Sequence, residues 1–291
     1  MKIGILQADT VLKQFQAEHG DYPEMIISVL NEAASEIGMK VEFINYDVEH
    51  GIYPDEIDET DAYIITGSKK SVYDDDVWIQ RLKKYTQELY AAKKKLVGIC
   101  FGHQLVADAL GGSTHEAPVG WCVGNHENEI VQSSWFMAEE NLKFYSLIVS
   151  HKDQVFRLPR EAKRLASTKD CPNSMYCIGD HILGIQGHPE FSKKYSRDLI
   201  EMRRELLGVE TYNVGVESLV KSPMRDVVAR WILRFIKGKP KDNIEVGDFV
   251  LQNFDEDETL GIEKISKNIT DSISILVEKK LDLFSSTVNN K

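Results

Sequence analysis

Residues 98–102 read Gly-Ile-Cys-Phe-Gly, with the cysteine set where the apolar run Leu96-Val97-Gly98-Ile99 passes into a helix-forming segment that begins at Gln104. This is the spacing of a sharp strand-to-helix turn: Gly98 and Gly102 relieve its crowding, and Cys100 between them is pushed out at the sheet edge. A cysteine so placed sits at a helix N-terminus, where backbone N–H groups and the positive end of the helix dipole favour a nucleophilic thiolate. Far downstream, a second short apolar run, Ile182-Leu183-Gly184-Ile185, leads into Gln186-Gly187-His188-Pro189-Glu190. A cysteine nucleophile needs an imidazole to take its proton and hand it to the leaving group, and the imidazole needs a carboxylate to fix its tautomer. His188 and Glu190 are such a pair, and Pro189 between them leaves one fewer backbone rotation to misplace them. Cys100, His188 and Glu190 are the candidate catalytic residues.

Four stretches together resemble the class I glutamine amidotransferases, which carry a Cys-His-Glu triad: residues 98–104, Gly187-His188-Pro189-Glu190, the turn Ile65-Thr66-Gly67-Ser68, and Ser150-His151. They run in the family's order, the likeness spans residues 1–235, and it looks nearest to the stand-alone branch similar to the GMP synthase amidotransferase domain, which includes γ-glutamyl peptidases. The resemblance implies hydrolysis of the γ-amide of glutamine, or of a γ-glutamyl amide, through a γ-glutamyl thioester on Cys100. Developing charge on the attacked carbonyl calls for preorganised donors, expected from the N–H of Phe101 and from the Gly67-Ser68 turn. Ser68 stands where the family often has a second glycine. By the same resemblance Gln104 contacts the substrate, and Ser150 and His151 lie beside its α-carboxylate and amine. His103, inside the elbow motif, is expected to point away from the chemistry.

Thiolate, imidazole and oxyanion donors supply this mechanism without a metal or organic cofactor. Relatives commonly feed ammonia to a synthase, which makes an ammonia-accepting synthase an implied partner beside the small-molecule substrate. The sequence carries no Gly-x-x-x-x-Gly-Lys-Ser/Thr phosphate loop, and the stretch after residue 240 is short for a nucleotide-activating domain. Two alternatives therefore stand beside the glutaminase: a free-standing γ-glutamyl peptidase, and a non-catalytic relative acting as a partner-binding protein.

The elements that must position these residues alternate. Strands are expected over 2–7, 41–48, 62–66 and 96–99, with helices over 23–37, 76–93 and 104–110 between them. The pattern predicts an α/β fold, a mostly parallel, flavodoxin-like sheet with helices on both faces as in class I glutamine amidotransferases. Ligands then bind at the carboxyl ends of strands, where Gly67, Cys100 and His188 fall. From 118 to 185 short strands over 119–123, 129–131, 147–149 and 175–178 predict a small antiparallel extension. Helices return over 193–207 and 224–237, the second with Ser222 as N-cap and Pro223 at its first position. The domain is expected to span 1–238, and an acidic extension, 239–291, carries an amphipathic stretch with Ile262, Ile265, Ile269, Ile273 and Leu276 on one stripe.

Bulk composition narrows the classes. The 291 residues are 42% hydrophobic and 28% charged, which excludes wholesale disorder. A net charge of -11 argues against a nucleic-acid partner, and no apolar run approaches a membrane span. Four cysteines (Cys100, Cys122, Cys171 and Cys177) lack the paired spacing of a zinc site and suit a reducing, cytoplasmic setting.

Overall fold

The strand β1 (Lys2–Gln7) is apolar and almost wholly buried, as a strand covered on both faces must be, and it forms the axis of a parallel sheet. A computed structural model describes residues 1–239. β1 pairs in parallel with β2 (Glu42–Asp47) on one side and β3 (Ala62–Ile65) on the other. β4 (Lys95–Ile99) follows β3, and β11 (Ile182–Ile185) follows β4, both parallel. Beyond β11 the same sheet continues antiparallel through β10 (Met175–Ile178), β9 (Ala162–Ser167), β6 (Cys122–Ile130) and β7 (Phe144–His151). The order is thus β2-β1-β3-β4-β11-β10-β9-β6-β7, and β5 (Ser113–Glu116) with β8 (Asp153–Arg157) forms a separate antiparallel pair. The antiparallel extension is joined edge to edge with the parallel half.

Helices cover both faces. α2 (Tyr22–Glu36) starts at a capping box in which Asp21 and Glu24 reciprocate. Its buried Ile26, Val29, Leu30 and Ala33 pack with Trp231, Ile232 and Phe235 of α7 (Arg225–Lys237) over Ile3, Ile5 and Val97. On the other face, α3 (Val77–Ala91) and α4 (Phe101–Ala109) bring Leu82, Leu89, Leu105 and Val106 against Leu6, Tyr63 and Leu96. Register aligns the functional ends: Ile65 pairs with Gly98, and Ile99 with Ile185, so the chain leaves β3, β4 and β11 side by side at one edge.

Several expectations are corrected. A short helix, α1 (Lys13–His19), lies between the first expected strand and the first expected helix, and it, β5, β8 and β9 are additional to the expected elements. The two strands expected over 119–123 and 129–131 are one, β6. The helix expected over 193–207 ends as α5 (Lys193–Met202), and α6 (Arg204–Ser218) comes next, interrupted at Gly208 by a left-handed φ of 71° that ordinary residues avoid. Ser222 does not cap α7. Met224 holds the cap position, and its N–H donates to Ser146 O of β7 at 2.8 Å, which ties the chain to the sheet until the helix begins at Arg225. The amphipathic stretch expected around Ile262 to Leu276 lies outside the described residues.

Candidate active site

β4 turns into α4 in a space that only glycine permits. A Cβ on Gly98 would lie 2.5 Å from the carbonyl carbon and oxygen of Gly102, and one on Gly102 would lie 2.5 Å from Ile65 O. Strand and helix therefore touch backbone to backbone. Cys100, at the corner, adopts φ 51° and ψ -102°, a conformation that L-residues rarely hold and that is kept only where the surroundings over-determine it. Here they do: Cys100 N–H donates to Ile185 O at 2.9 Å, and Cys100 O accepts from Gln104 N at 3.0 Å.

His188 arrives just past β11 and is clamped by a bridge to β7, its N–H donating to Ile148 O at 2.8 Å. Its Nδ1–H donates to Glu190 Oε1 at 2.7 Å, which leaves Nε2 for Cys100, a residue that lines the same cleft. Phe191 lies flat on the imidazole, centroids 3.8 Å apart and planes 11° from parallel. Glu190 is fully enclosed, and its other oxygen has no partner among the described residues. Burial alone pushes His188 toward its neutral form. The negative charge of Glu190 outweighs it, helped by the hydrogen bond to that carboxylate and by the neighbouring Cys100, and the ring's pKa is held up to about 10.

The Gly67-Ser68 turn flanks this pair. A Cβ on Gly67 would sit 3.0 Å from His188 Cε1 and 3.8 Å from Cys100 Cβ, so the backbone of the turn lies against both groups. Buried Asp9 anchors the turn, accepting from Lys69 N at 2.8 Å and pairing with Lys69 Nζ at 2.5 Å. The N–H groups of Gly67 and Ser68 make no backbone hydrogen bond to the described residues. The N–H of Phe101 opens a helix, where intrahelical bonding leaves donors unused.

The remaining expected residues fall in two places. Ser150 lines the cleft with Gly67, Ser68, Cys100 and His188. Gln104 and His151 lie beneath it in the interior. Gln104 Nε2 donates to Asp153 O at 2.7 Å and to Gln186 Oε1 at 3.0 Å, and Gln186 Nε2 in turn approaches Cys100 Sγ at 3.6 Å. The structure thus brings Gln104 to the cysteine through Gln186. His151 Nδ1–H donates to Asp153 O at 2.9 Å, and burial pushes it down to about 3, leaving it neutral. His103 is also buried, pushed down to about 3, and packed on Tyr176, consistent with no part in proton transfer.

Asp9, Tyr22, Phe191, Gln186 and Arg203 are at or behind the site and were not singled out from the sequence. Gln186 and Phe191 flank the His188 motif and were within reach of inspection; Asp9, Tyr22 and Arg203 belong to elements whose packing alone brings them in.

A cysteine on a strained strand-to-helix elbow, an imidazole fixed by a buried carboxylate, and backbone donors without partners among the described residues lie together at the carboxyl edge of an α/β sheet. Comparison with known proteins places the chain further. The family model for glutamine amidotransferase class-I matches residues 20–203, and the chain belongs to that family. It is 32% identical over 190 residues to gamma-glutamyl peptidase 3 of Arabidopsis thaliana, covering 63% of this chain and 74% of that protein. It is 32% identical over 155 residues to the glutamine-hydrolyzing GMP synthase of Aeropyrum pernix, covering 52% of this chain and 30% of that protein. Among solved structures, a glutamine amidotransferase of Thermotoga maritima superposes with a TM-score of 0.60 at 19% identity, covering 81% of this chain and 95% of that one, a likeness of fold. Among the described residues no helix is long and apolar enough to cross a membrane.

Proposed function

We propose that this protein is a cysteine-dependent amidohydrolase that cleaves the γ-amide bond of glutamine or of a γ-glutamyl compound. The observation that carries the reading is the line Cys100, His188, Glu190, held at the carboxyl edge of the sheet in a member of the glutamine amidotransferase family. The Cys100 thiolate attacks the amide carbon, and the carbonyl electrons move to oxygen, which the N–H groups of Phe101 and the Gly67-Ser68 turn receive. His188 gives its proton to the departing nitrogen, the C–N bond breaks, and ammonia or an amine leaves a γ-glutamyl thioester. His188, now neutral, takes a proton from water as the water attacks the thioester, and the C–S bond breaks to release glutamate and regenerate the ion pair.

The peptidase reading is favoured over the glutaminase subunit by the extent of the match to gamma-glutamyl peptidase 3, which covers most of that protein. The match to GMP synthase covers under a third of its length and supports a separate synthase as the alternative partner. Residues 1–238 form the amidotransferase-like domain in this reading, and 239–291 an extension to it. Four free thiols fit a reducing, cytoplasmic setting. Steady-state kinetics separate the readings. Full turnover of γ-glutamyl peptides by the isolated protein supports the peptidase; glutamine turnover that rises steeply only with a synthase present supports the subunit, and neither activity would refute both.

A further inference from the structure

The cleft holds two cations besides the triad, and they differ in one respect. Lys69 is neutralised by Asp9 at 2.5 Å. Arg203 lines the same cleft with Cys100 and His188 and has no carboxylate within ion-pair distance among the described residues. Its neighbours are neutral: NH1 donates to Ser150 Oγ at 2.7 Å, and the guanidinium carbon lies 4.9 Å from the centre of the Trp121 ring. Its backbone is fixed from both sides, Arg203 N donating to Leu199 O at 3.1 Å and Arg203 O accepting from Leu207 N at 2.8 Å, where α5 gives way to α6.

A guanidinium presents five N–H donors in a planar fork, of which the contact with Ser150 uses one. Held by a hydroxyl and an aromatic face, it keeps its charge and its remaining donors for an anion, and the anion that its geometry suits is a carboxylate taken bidentately. We infer that Arg203, positioned by Ser150 and Trp121, is the residue that binds a substrate carboxylate and so selects substrates that carry that carboxylate over amides that lack it. This rests on the proposed γ-glutamyl chemistry and deepens it. A γ-glutamyl peptide offers two such groups, the α-carboxylate of the glutamyl moiety and the terminal carboxylate of the leaving peptide. Ser150 then acts on the substrate through the arginine it holds.

The test compares wild type with Arg203→Gln and Arg203→Lys on three substrates: γ-glutamyl-p-nitroanilide, whose one carboxylate is the α-carboxylate; its α-carboxamide; and a γ-glutamyl dipeptide with a free C-terminus. An α-carboxylate contact predicts that Arg203→Gln loses about 100-fold or more in kcat/KM on the anilide, mostly through KM, and under about 3-fold on the carboxamide. A leaving-group contact confines the large loss to the dipeptide, which also supports the inference and identifies the carboxylate. Arg203→Lys, which keeps the charge and loses the fork, carries the test if the glutamine variant misfolds, and an intermediate loss with the same substrate pattern is expected. Equal losses on all three substrates, or none, would overturn the inference while leaving the hydrolase reading intact. Wild-type protein inert toward every γ-glutamyl substrate would instead sink that reading and this inference with it.

Discussion

Replacing Glu190 by glutamine removes one negative charge and almost no volume, and the amide oxygen can still accept from His188 Nδ1–H. Geometry and tautomer are kept, and the electrostatics change. In the native site burial opposes the imidazolium, and Glu190, 2.7 Å from the ring and wholly enclosed, is the largest of the contributions that overcome it. With that charge gone, burial works against Cys100 alone, and the His188 pKa falls from about 10 toward or below the ordinary 6.5. Each unit of that drop corresponds to about 1.4 kcal/mol of lost ion-pair stabilisation, so losing only two of the roughly 3.5 units already removes about 3 kcal/mol. The descending limb of kcat/KM against pH, which reports loss of the imidazolium proton from free enzyme, should move down by about two units or more. Activity at pH 7 should fall about 100-fold. The assay is a pH profile of γ-glutamyl anilide hydrolysis, paired with the rate of Cys100 alkylation across the same range. A descending limb that stays where it is in Glu190→Gln would refute the reasoning, because the charge of Glu190 would then not be what holds the proton on His188.

The same geometry has other consequences. Because the raised His188 pKa stabilises the folded state fully below the ordinary 6.5 and ceases to as pH climbs through about 10, thermal stability should decline over that window in wild type, and Glu190→Gln should flatten the decline. Gly67→Ala puts a methyl 3.0 Å from His188 Cε1, and Phe191, stacked at 3.8 Å, blocks retreat of the ring. Its kcat should fall about 10- to 100-fold with little change in melting temperature, and an unchanged kcat would show that the turn has slack. Cys100→Gly and Cys100→Ala should both be inactive, yet the glycine variant should be the more stable by about 1 kcal/mol in denaturant unfolding, since only it relaxes at φ 51°. An alanine variant of equal or greater stability would contradict the strain.

Most of the parallel half of the fold was legible because β1, β3, β4 and β11 are buried and read as short apolar runs, whereas the edge strand β2 is only partly buried; β1 begins and ends where expected, and β3 and β4 within a residue. The triad was legible because its motifs are local: an elbow between glycines, and a histidine two residues from its carboxylate. β6 was not, since residues 124–129 are Gly-Asn-His-Glu-Asn-Glu, a poor strand by propensity, held by cross-strand pairing with β7, where Asn125 meets Ile148 and Glu127 meets Ser146. Arg203 was hidden for a related reason. Its place in the cleft depends on the break between α5 and α6, and apolar periodicity through 193–207 reads as one continuous helix. Gln104 was expected to contact the substrate, and the structure places it beneath the cleft, where its hydrogen bonds to Asp153 and Gln186 depend on β8 and the segment after β11 folding against it.

The proposed chemistry depends on Cys100 being the one reactive sulfur. Burial pushes Cys122 up to about 11 and Cys171 up to about 12, and raises Cys177 as well, so these thiols should be inert near neutral pH. Peptide mass spectrometry after incubation with a glutamine-mimicking diazo-ketone should find a single adduct, on Cys100, absent in Cys100→Ala and reduced in His188→Ala. An adduct on Cys122, Cys171 or Cys177 with Cys100 unmodified would contradict it.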